Sequence, residues 1–302
     1  MNDKERQLLR FLCNGSYKQA EQQARIILND IQTQKDQQFK NAMLSQLDKR
    51  NGMAELPKNG NGKQLLVAED VSNFPLERFL LRTSDEKVVN EAINLYRVSN
   101  ELMELGIPYL PAVILHGKSG CGKTMLAKYI AYKANLPYVY VRFSYLVESY
   151  LGSSQQNIAK VIDFVKSTPC VICFDEIDAV GMARGQKNDV GEMNRIVIAM
   201  MQELDTLSNN VIVVGTTNRF DRLDAALIRR FPISHEVLPL SLQESTNISK
   251  AFFAHTKIDC ESWIQEFAKE HFSDSVPASD VIKECTNIVV RILLERQNNS
   301  LL

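Results

Sequence analysis

The feature that most constrains the fold is a run of eight residues that matches the phosphate-binding pattern G-x-x-x-x-G-K-[ST] at every fixed position. The run is Gly117, Lys118, Ser119, Gly120, Cys121, Gly122, Lys123 and Thr124. The apolar residues 112–115 ahead of it predict a buried strand, and residues 125–135 behind it predict a helix with one apolar face. A glycine-rich turn in this position points successive N–H groups inward, at a helix N-terminus whose dipole favours an anion. The sequence therefore predicts a site for nucleotide phosphates.

Two side chains of this run suit the chemistry of such a ligand. Lys123 would reach the β- and γ-phosphates as a positive charge. Thr124 offers a hydroxyl that can complete the shell of a Mg²⁺ ion, because Mg²⁺ takes hard oxygen ligands and keeps several waters. Met125 follows directly and is grouped with the nucleotide-binding residues. The run alone indicates a nucleotide, and residues further along the chain must indicate its use.

Length and charge limit the partners that we expect. The chain has 302 residues, 45% apolar content and a net charge of −1, from 35 basic and 36 acidic residues. This length supports two or three packed units. The balanced charge argues against nucleic acid as a partner, although a local basic pore remains possible. The charged start and the lack of an apolar segment of about 18 residues favour a cytoplasmic protein with no membrane partner.

The six cysteines show no disulfide framework, which is typical of reduced intracellular chains. Two of them, Cys170 and Cys173, form a C-x-x-C pair within an apolar run that predicts a strand. Residues three apart on a strand point to opposite faces of a sheet, so this pair could not bind one metal ion. We therefore expect both to be thiols of the core.

Hydrophobic periodicity divides the first 240 residues into three segments. Residues 1–50 predict a helical N-terminal extension, which could be an adaptor for substrate or partner proteins or could pack only on itself. Two Asn-Gly stretches mark residues 51–70 as a flexible linker. Residues 71–240 alternate strands with helices, which is typical of a parallel sheet with helices on both faces. The predicted fold class is therefore α/β.

In a sheet of this kind, ligands bind beyond the carboxyl ends of the strands, where several polar residues of the sequence fall. Asp175 and Glu176 follow an apolar strand directly. Asp175 is placed to hold the Mg²⁺ shell, and Glu176 to orient or deprotonate an attacking water, although the pair could also be a simple cap at a strand end. Asn218 follows another strand and could hydrogen-bond the γ-phosphate or the water, or be an ordinary turn residue.

Two adjacent arginines, Arg229 and Arg230, end a predicted helix. A guanidinium aimed at a γ-phosphate offsets the charge of the transition state and accelerates hydrolysis by about 10³- to 10⁵-fold in other NTPases. The alternative is a basic helix terminus that complements the helix dipole. These two interpretations differ in where the arginines would lie relative to a nucleotide.

The phosphate-binding run, the Asp175-Glu176 pair, residues 216–219 and residues 223–231 occur in an order and spacing that resemble the AAA family of ATPases. The resemblance covers about residues 71 to 295. The paired arginines are most similar to the spastin and katanin branch. Residues 149–152 and 189–193 are similar to stand-alone bacterial AAA ATPases, some of which are encoded beside a subtilisin-like protease.

This resemblance implies a P-loop NTPase sheet followed by a small helical lid over residues 241–302, with ATP and Mg²⁺ as ligands. It also implies a homo-oligomeric ring, expected to be a hexamer. Arg229 and Arg230 would then act on the nucleotide of the neighbouring subunit, and Asn218 would be the sensor of the γ-phosphate. Ala278 lies in the lid where the family usually has glycine, which leaves less room beside the adenine.

The sequence Tyr150-Leu151-Gly152 falls where the family carries a loop in the central pore that grips a polypeptide. An ordinary contact of Tyr150 and Leu151 ahead of the next helix is the alternative. Two functions follow from the resemblance. One is a ring that hydrolyses Mg-ATP to remodel or thread protein substrates. The other is an ATP-controlled oligomeric switch that activates a partner enzyme, such as a protease, without translocation.

Overall fold

A sheet of six strands forms the centre of the larger of two units into which the chain divides. The computed structural model describes residues 3–13, 23–24, 26–28, 30, 40, 56–107, 109–146, 153–179, 190–207 and 211–299. The smaller unit is Met1–Leu56 and the larger unit is Pro57–Leu302. No helix in these ranges has the length and apolar character needed to cross a membrane.

The smaller unit contains helix α1, Asp3–Cys13, within the predicted helical extension. The Lys4 ammonium forms an ion pair with Asp30, and the Gln23 side chain donates a hydrogen bond to the Lys4 carbonyl at 3.3 Å. These contacts join α1 to residues 23–30 of the same unit. An adaptor role for this region stays a prediction.

The sheet places its strands in the order β1-β3-β4-β5-β2-β6. Strands β2 to β6 run parallel to one another, and β1 pairs antiparallel with β3 at one edge. This arrangement confirms the predicted α/β fold with a mostly parallel sheet. The strands are β1 Leu66–Glu69, β2 Ala112–His116, β3 Tyr138–Val141, β4 Cys170–Phe174, β5 Val211–Thr217 and β6 Ile233–Glu236.

Strand β1 lies where the sequence predicts a linker, so the prediction of flexible chain is wrong for residues 57–69. Leu65 and Leu66 are fully buried. The Asn59 side chain accepts hydrogen bonds from the backbone N–H of Asn61 at 3.1 Å and of Lys63 at 2.8 Å. Asn-Gly repeats suit tight turns as well as flexible linkers, and here they form an ordered turn that leads into an edge strand.

Every residue of β4 and β5 is buried, which indicates that helices cover both faces of the sheet. One face packs against two long helices through side chains that include Val89, Ala92, Leu126 and Ile130. The helices of this part are α2 Thr83–Glu104, α3 Lys123–Ala134, α4 Phe143–Leu146, α5 Ser153–Ser167, α6 Val190–Leu204 and α7 Ala225–Ile228, with 3-10 turns at Leu76–Arg78, Ile177–Ala179 and Phe220–Arg222.

Cys170 and Cys173 lie in β4 and are both fully buried. Cys173 packs with the cluster formed by α2 and α3, and burial raises the pKa of each thiol to about 12. Both groups are therefore neutral thiols at physiological pH. This is the core role that the strand periodicity predicts.

Three helices follow the sheet and share a second core. They are α8 Leu242–His255, α9 Ile264–His271 and α10 Ala278–Asn299. Their core is rich in aromatic rings, among them Phe253, Trp263 and Phe267, which meet edge to face at centroid distances of 5.1 to 6.2 Å. We call these three helices the lid.

A partly buried ion pair joins the lid to the start of α2. The Arg82 guanidinium donates to both Glu244 oxygens, at 2.7 and 2.9 Å, and to the carbonyls of Leu238 and Pro239, at 3.0 and 2.8 Å. Glu244 also accepts from the Ser241 backbone N–H at 2.8 Å, which completes a capping box at the start of α8. Arg82 therefore fixes the segment through which the chain passes from β6 to the lid.

Replacing Glu244 with glutamine is expected to lower the free energy of unfolding by about 2 kcal/mol at neutral pH. The hydrogen bonds from Arg82 and the Ser241 N–H lower the pKa of Glu244 to about 2, from an ordinary value of 4.5. The side chain is 26% exposed, so solvent reduces the effect. Because the folded pKa is lowered, this stabilisation is present above about pH 4.5 and is lost as the pH falls towards 2.

Urea unfolding of both proteins at about pH 7 and about pH 3 checks this prediction. The difference between wild type and Glu244→Gln should shrink at the lower pH. An equal difference at both values would show that the carboxylate charge does not contribute.

Candidate functional site

A cavity of about 560 Å³ lies at the carboxyl ends of the central strands, between the sheet and the lid. Residues from both parts line it. They are Pro75, Arg78, Ser119, Gly120, Gly122, Lys123, Thr124, Met125, Asp175, Glu176, Thr216, Asn218, Ala278, Ser279 and Ile282. Most of the predicted nucleotide-site residues therefore converge on one space, which is the position that a parallel sheet favours for a ligand.

The glycine-rich turn needs its glycines for close packing as well as for its conformation. A Cβ atom on Gly117 would lie 2.4 Å from the Val237 carbonyl oxygen, and one on Gly120 would lie 2.3 Å from Ser279 Oγ in the lid. Both glycines have a positive φ, +136° and +77°. The Ser279 N–H also donates to the Gly120 carbonyl at 3.0 Å. The turn thus fits tightly between β6 and the first turn of α10.

Lys123 is the buried cation of the site. Its Nζ donates to the carbonyls of Gly117 and Lys118, at 3.0 and 2.9 Å, and to Asn218 Oδ1 at 2.6 Å. Only 7% of the residue is exposed, and burial lowers its pKa, while nearby acidic groups oppose that shift. An ammonium that has lost solvent and faces mainly neutral acceptors gains strongly from a bound anion.

Asp175, directly after β4, links helix α3 to strand β5 through hydrogen bonds. The Thr124 hydroxyl donates to Asp175 Oδ1 at 3.1 Å, and the Thr216 hydroxyl donates to the same oxygen. Thr216 also accepts a hydrogen bond from the Glu176 backbone N–H at 3.0 Å. Two hydroxyls and a carboxylate are therefore held together at the ends of neighbouring strands.

Glu176 adopts a backbone conformation that is rare for residues other than glycine, with φ of +54°. Its neighbour Asp178 accepts a hydrogen bond from the Thr217 hydroxyl at 2.7 Å, which fixes the turn after β4. The Glu176 side chain is exposed to the cavity. A strained residue at the end of a central strand is a frequent property of functional sites, because surrounding contacts must hold it.

The oxygen donors at this place fit a Mg²⁺ ion. Thr124 and Asp175 supply a hydroxyl and a carboxylate within 3.1 Å of each other. Among the described residues, no group of three or more His, Cys, Asp or Glu side chains could hold a metal ion. A Mg²⁺ ion here would therefore depend on phosphate oxygens and water for its other ligands, as this ion commonly does.

Arg229 and Arg230 lie elsewhere, beside a second cavity of about 350 Å³ that Tyr109, Leu204 and Pro232 also line. Arg230 forms a bidentate ion pair with Asp205 of the same chain, at 2.8 and 2.7 Å, and donates to the Met201 and Ala226 carbonyls. Arg229 is exposed. The short helix α7 precedes them, and Asp224 caps its N-terminus by accepting a hydrogen bond from the Ala226 N–H at 2.7 Å.

The remaining predicted residues divide into three groups. Gly117, Lys118 and Cys121 belong to the glycine-rich turn, although they do not line the cavity. Ala278 lines the cavity from the lid. Tyr150 and Leu151 lie outside the described residues.

Sequence reasoning missed five lining residues, which are Pro75, Arg78, Thr216, Ser279 and Ile282. Ser279 and Ile282 share the first turns of α10 with Ala278 and could have been found from their helical spacing. Pro75 and Arg78 stand about 40 residues before the glycine-rich turn and carry no motif that marks them.

Comparisons with known proteins agree with this geometry. Residues 113–238 match the model of the "ATPase family associated with various cellular activities (AAA)". The peroxisomal ATPase pex6 of Schizosaccharomyces pombe is 32% identical over 220 residues, which are 70% of this chain and 23% of that protein. An AAA family ATPase of Sinorhizobium fredii is 28% identical over 221 residues, 72% of this chain and 65% of that protein.

A third relative is the ATP-dependent zinc metalloprotease FtsH 3 of Phytoplasma mali, which is 33% identical over 183 residues, 59% of this chain and 31% of that protein. The chain thus spans less than two thirds of the length of each of these three relatives. The segment that matches the family model includes most of β2, the glycine-rich turn, the acidic pair after β4 and the paired arginines. Residues 113–238 of this chain thus form a domain of the AAA family of ATPases.

Proposed function

We propose that this chain hydrolyses Mg-ATP and assembles into a ring that uses the turnover to remodel or thread protein substrates. The observation that carries the proposal is the convergence of Lys123, Thr124, Asp175, Glu176 and Asn218 on one cavity. These side chains supply a cation, a hydroxyl, two carboxylates and an amide, which are the groups that ATP hydrolysis needs. The cavity volume also suits a nucleotide.

Each side chain has a separate role in the proposed reaction. Backbone N–H groups of the glycine-rich turn bind the phosphates at the start of α3, and Lys123 neutralises the β- and γ-phosphates. Asn218, which already contacts Lys123, turns its amide to the γ-phosphate or to the attacking water. Glu176 accepts a proton from that water as the water oxygen bonds to the γ-phosphorus. The bond between the γ-phosphorus and the β-γ bridging oxygen breaks, and ADP leaves.

Thr124 and Asp175 would hold the Mg²⁺ ion. When bound, this ion neutralises negative charge on the phosphate oxygens. The Thr216 hydroxyl keeps the Asp175 carboxylate in position and, through the Glu176 N–H, also holds the backbone of the proposed base. One hydroxyl from β5 thus orients both acidic residues.

Assembly is part of the proposal because the two arginines lie beside the second cavity and not beside the first. Arg229 is exposed, and Tyr109, which lines the same cavity, is 40% exposed. Leu105 and Ile107, shortly before Tyr109 in the chain, are 73% and 50% exposed. Exposed apolar surface of this kind is typical of protein contacts. A second copy that placed its nucleotide cavity here would receive Arg229, and the hexamer expected from the resemblance would give every cavity such a neighbour.

A protein is the proposed substrate or partner, and the cytoplasm is the proposed compartment. Relatives named as a peroxisomal ATPase and as an ATP-dependent metalloprotease support a protein substrate or partner, including a protease. Five cysteines of the described residues, Cys121, Cys170, Cys173, Cys260 and Cys285, are buried free thiols, which supports the cytoplasm as the location.

A switch that activates a partner enzyme without translocation is the second candidate. Steady-state ATP hydrolysis, measured with and without a permanently unfolded protein such as carboxymethylated lactalbumin, separates the two functions. A threading ring should hydrolyse ATP faster in the presence of the unfolded chain. Tyr150→Ala should remove this stimulation, whereas Tyr150→Phe, which keeps the aromatic ring, should retain it. A wild type that unfolded protein does not stimulate would favour the switch.

A further inference from the structure

The residues that line the nucleotide cavity fall into two groups. Lys123, Asp175 and Glu176 belong to the hydrogen-bonded group at the glycine-rich turn, which we call the phosphate end. The apolar lining residues are Pro75, Met125, Ala278 and Ile282, of which the last two pack on the lid core that contains Phe252. Arg78, in the 3-10 turn before α2, also lines the cavity and contacts Phe252. An apolar surface with one planar cation is suited to an aromatic ring.

The Arg78 guanidinium contacts one aromatic ring and one carboxylate. Its Cζ lies 5.4 Å from the centre of the Phe252 ring in α8, and its Nε lies 3.7 Å from the Glu77 carboxylate. Phe252 is buried within the lid core, so its ring is a fixed platform. Among the described residues, these are the contacts of the guanidinium, and half of the side chain is exposed. Part of the Arg78 side chain therefore remains accessible at the cavity.

We propose that Arg78 binds the purine base of the nucleotide by stacking its guanidinium on the base. Phe252, Arg78 and the base then form one stack. This inference rests on the proposed ATPase function and names a residue of its substrate site. The contact is assigned to the nucleoside half of the ligand, because Arg78 contacts Phe252, on whose core Ala278 and Ile282 pack. Lys123 instead bonds to the glycine-rich turn and to Asn218.

The stack has a consequence for the lid. Phe252 belongs to α8, and the 3-10 turn that carries Arg78 packs on the same helix. A base that orders Arg78 therefore also orders the contact between this turn and the lid. Arg78 thus makes the lid position depend on whether a nucleoside is bound, in addition to any effect of the phosphates.

The test compares the binding of Mg-ADP with that of Mg-pyrophosphate, which has the same two phosphates and no nucleoside. Full-length wild type, Arg78→Ala and Arg78→Lys are titrated with each ligand by calorimetry. Arg78→Ala should weaken ADP binding about tenfold and leave pyrophosphate binding unchanged. Arg78→Lys keeps the charge but loses the plane, so it should fall between wild type and Arg78→Ala. Arg291→Ala, an exposed arginine of α10 outside the cavity, is the matched control and should bind as wild type.

Several outcomes would overturn the inference. Equal weakening of ADP and pyrophosphate would mean that Arg78 acts on the phosphates or on the fold, and unchanged ADP binding would mean that it contacts no part of the ligand. A loss seen with ADP but not with 2′-deoxy-ADP would assign the contact to the ribose. If the wild type bound neither ADP nor pyrophosphate, the proposed function itself would fail together with this inference.

Discussion

Replacing Glu176 with glutamine is expected to lower the rate of ATP hydrolysis by about 10²- to 10⁴-fold while ATP still binds. Glutamine keeps the size of the side chain but cannot accept a proton from the attacking water. The backbone around Glu176 should not change, because its N–H bonds to the Thr216 hydroxyl and this bond does not involve the carboxylate. Lys123 and Asn218 keep their contact, so the phosphate end remains complete.

The measurement pairs single-turnover hydrolysis with equilibrium ATP binding on the same preparations. Glu266→Gln, an identical substitution at an exposed position of α9 outside the cavity, should hydrolyse ATP at the wild-type rate. Hydrolysis at the wild-type rate by Glu176→Gln would remove this residue from the role of base. Loss of ATP binding by Glu176→Gln would instead assign the carboxylate to ligand or metal binding.

The parts of the site that the sequence predicts are those that follow central strands. In a parallel sheet, the carboxyl ends of neighbouring strands meet at one edge, so a motif placed directly after each strand is located as soon as the strands are recognised. Lys123, Asp175 and Asn218 are residues of this kind, and the structure places them at one cavity. They are predictable because each lies only a few residues after a buried strand in the sequence.

Other parts depend on packing between distant segments, which periodicity does not report. Arg78 reaches the cavity because its 3-10 turn packs on α8, more than 160 residues later in the chain. Strand β1 is four residues long and follows turn residues, so local composition indicated a linker, and only its pairing with β3 makes it a strand. In both cases a contact formed late in the sequence determines the role of an early residue.

The two arginines show a further limit. Adjacent residues of the same type look equivalent in the sequence, yet Arg230 pairs with Asp205 while Arg229 is exposed. The bond between Arg230 and Asp205 joins α6 to the end of α7, and only a structure shows that these two ends meet. The ion pair also raises the pKa of Arg230, so this guanidinium stays charged.

Mixing two inactive variants is expected to restore ATP hydrolysis if the arginines act on a neighbouring subunit. One variant carries Arg229→Ala with Arg230→Ala, and the other carries Glu176→Gln. Each alone should hydrolyse ATP at a small fraction of the wild-type rate. Loss of such arginines lowers the rate by about 10³- to 10⁵-fold in other NTPases, and Glu176→Gln lacks the proposed base. In a mixed ring, an arginine-free chain still has a complete nucleotide cavity, and a Glu176→Gln neighbour can supply its arginines.

The size of the restored activity follows from the arrangement of chains in a closed ring. In an equal random mixture, half of the cavities belong to the arginine-free variant, and half of those have a Glu176→Gln neighbour, so roughly a quarter of the sites are complete. A mixture of Glu176→Gln with Lys123→Ala is the matched control and should stay inactive, because neither variant has a working cavity. Arginines that acted within their own chain would give no restoration in either mixture. Because Arg229 and Arg230 lie at a different cavity from Lys123, restoration in the first mixture alone is the result that this geometry predicts.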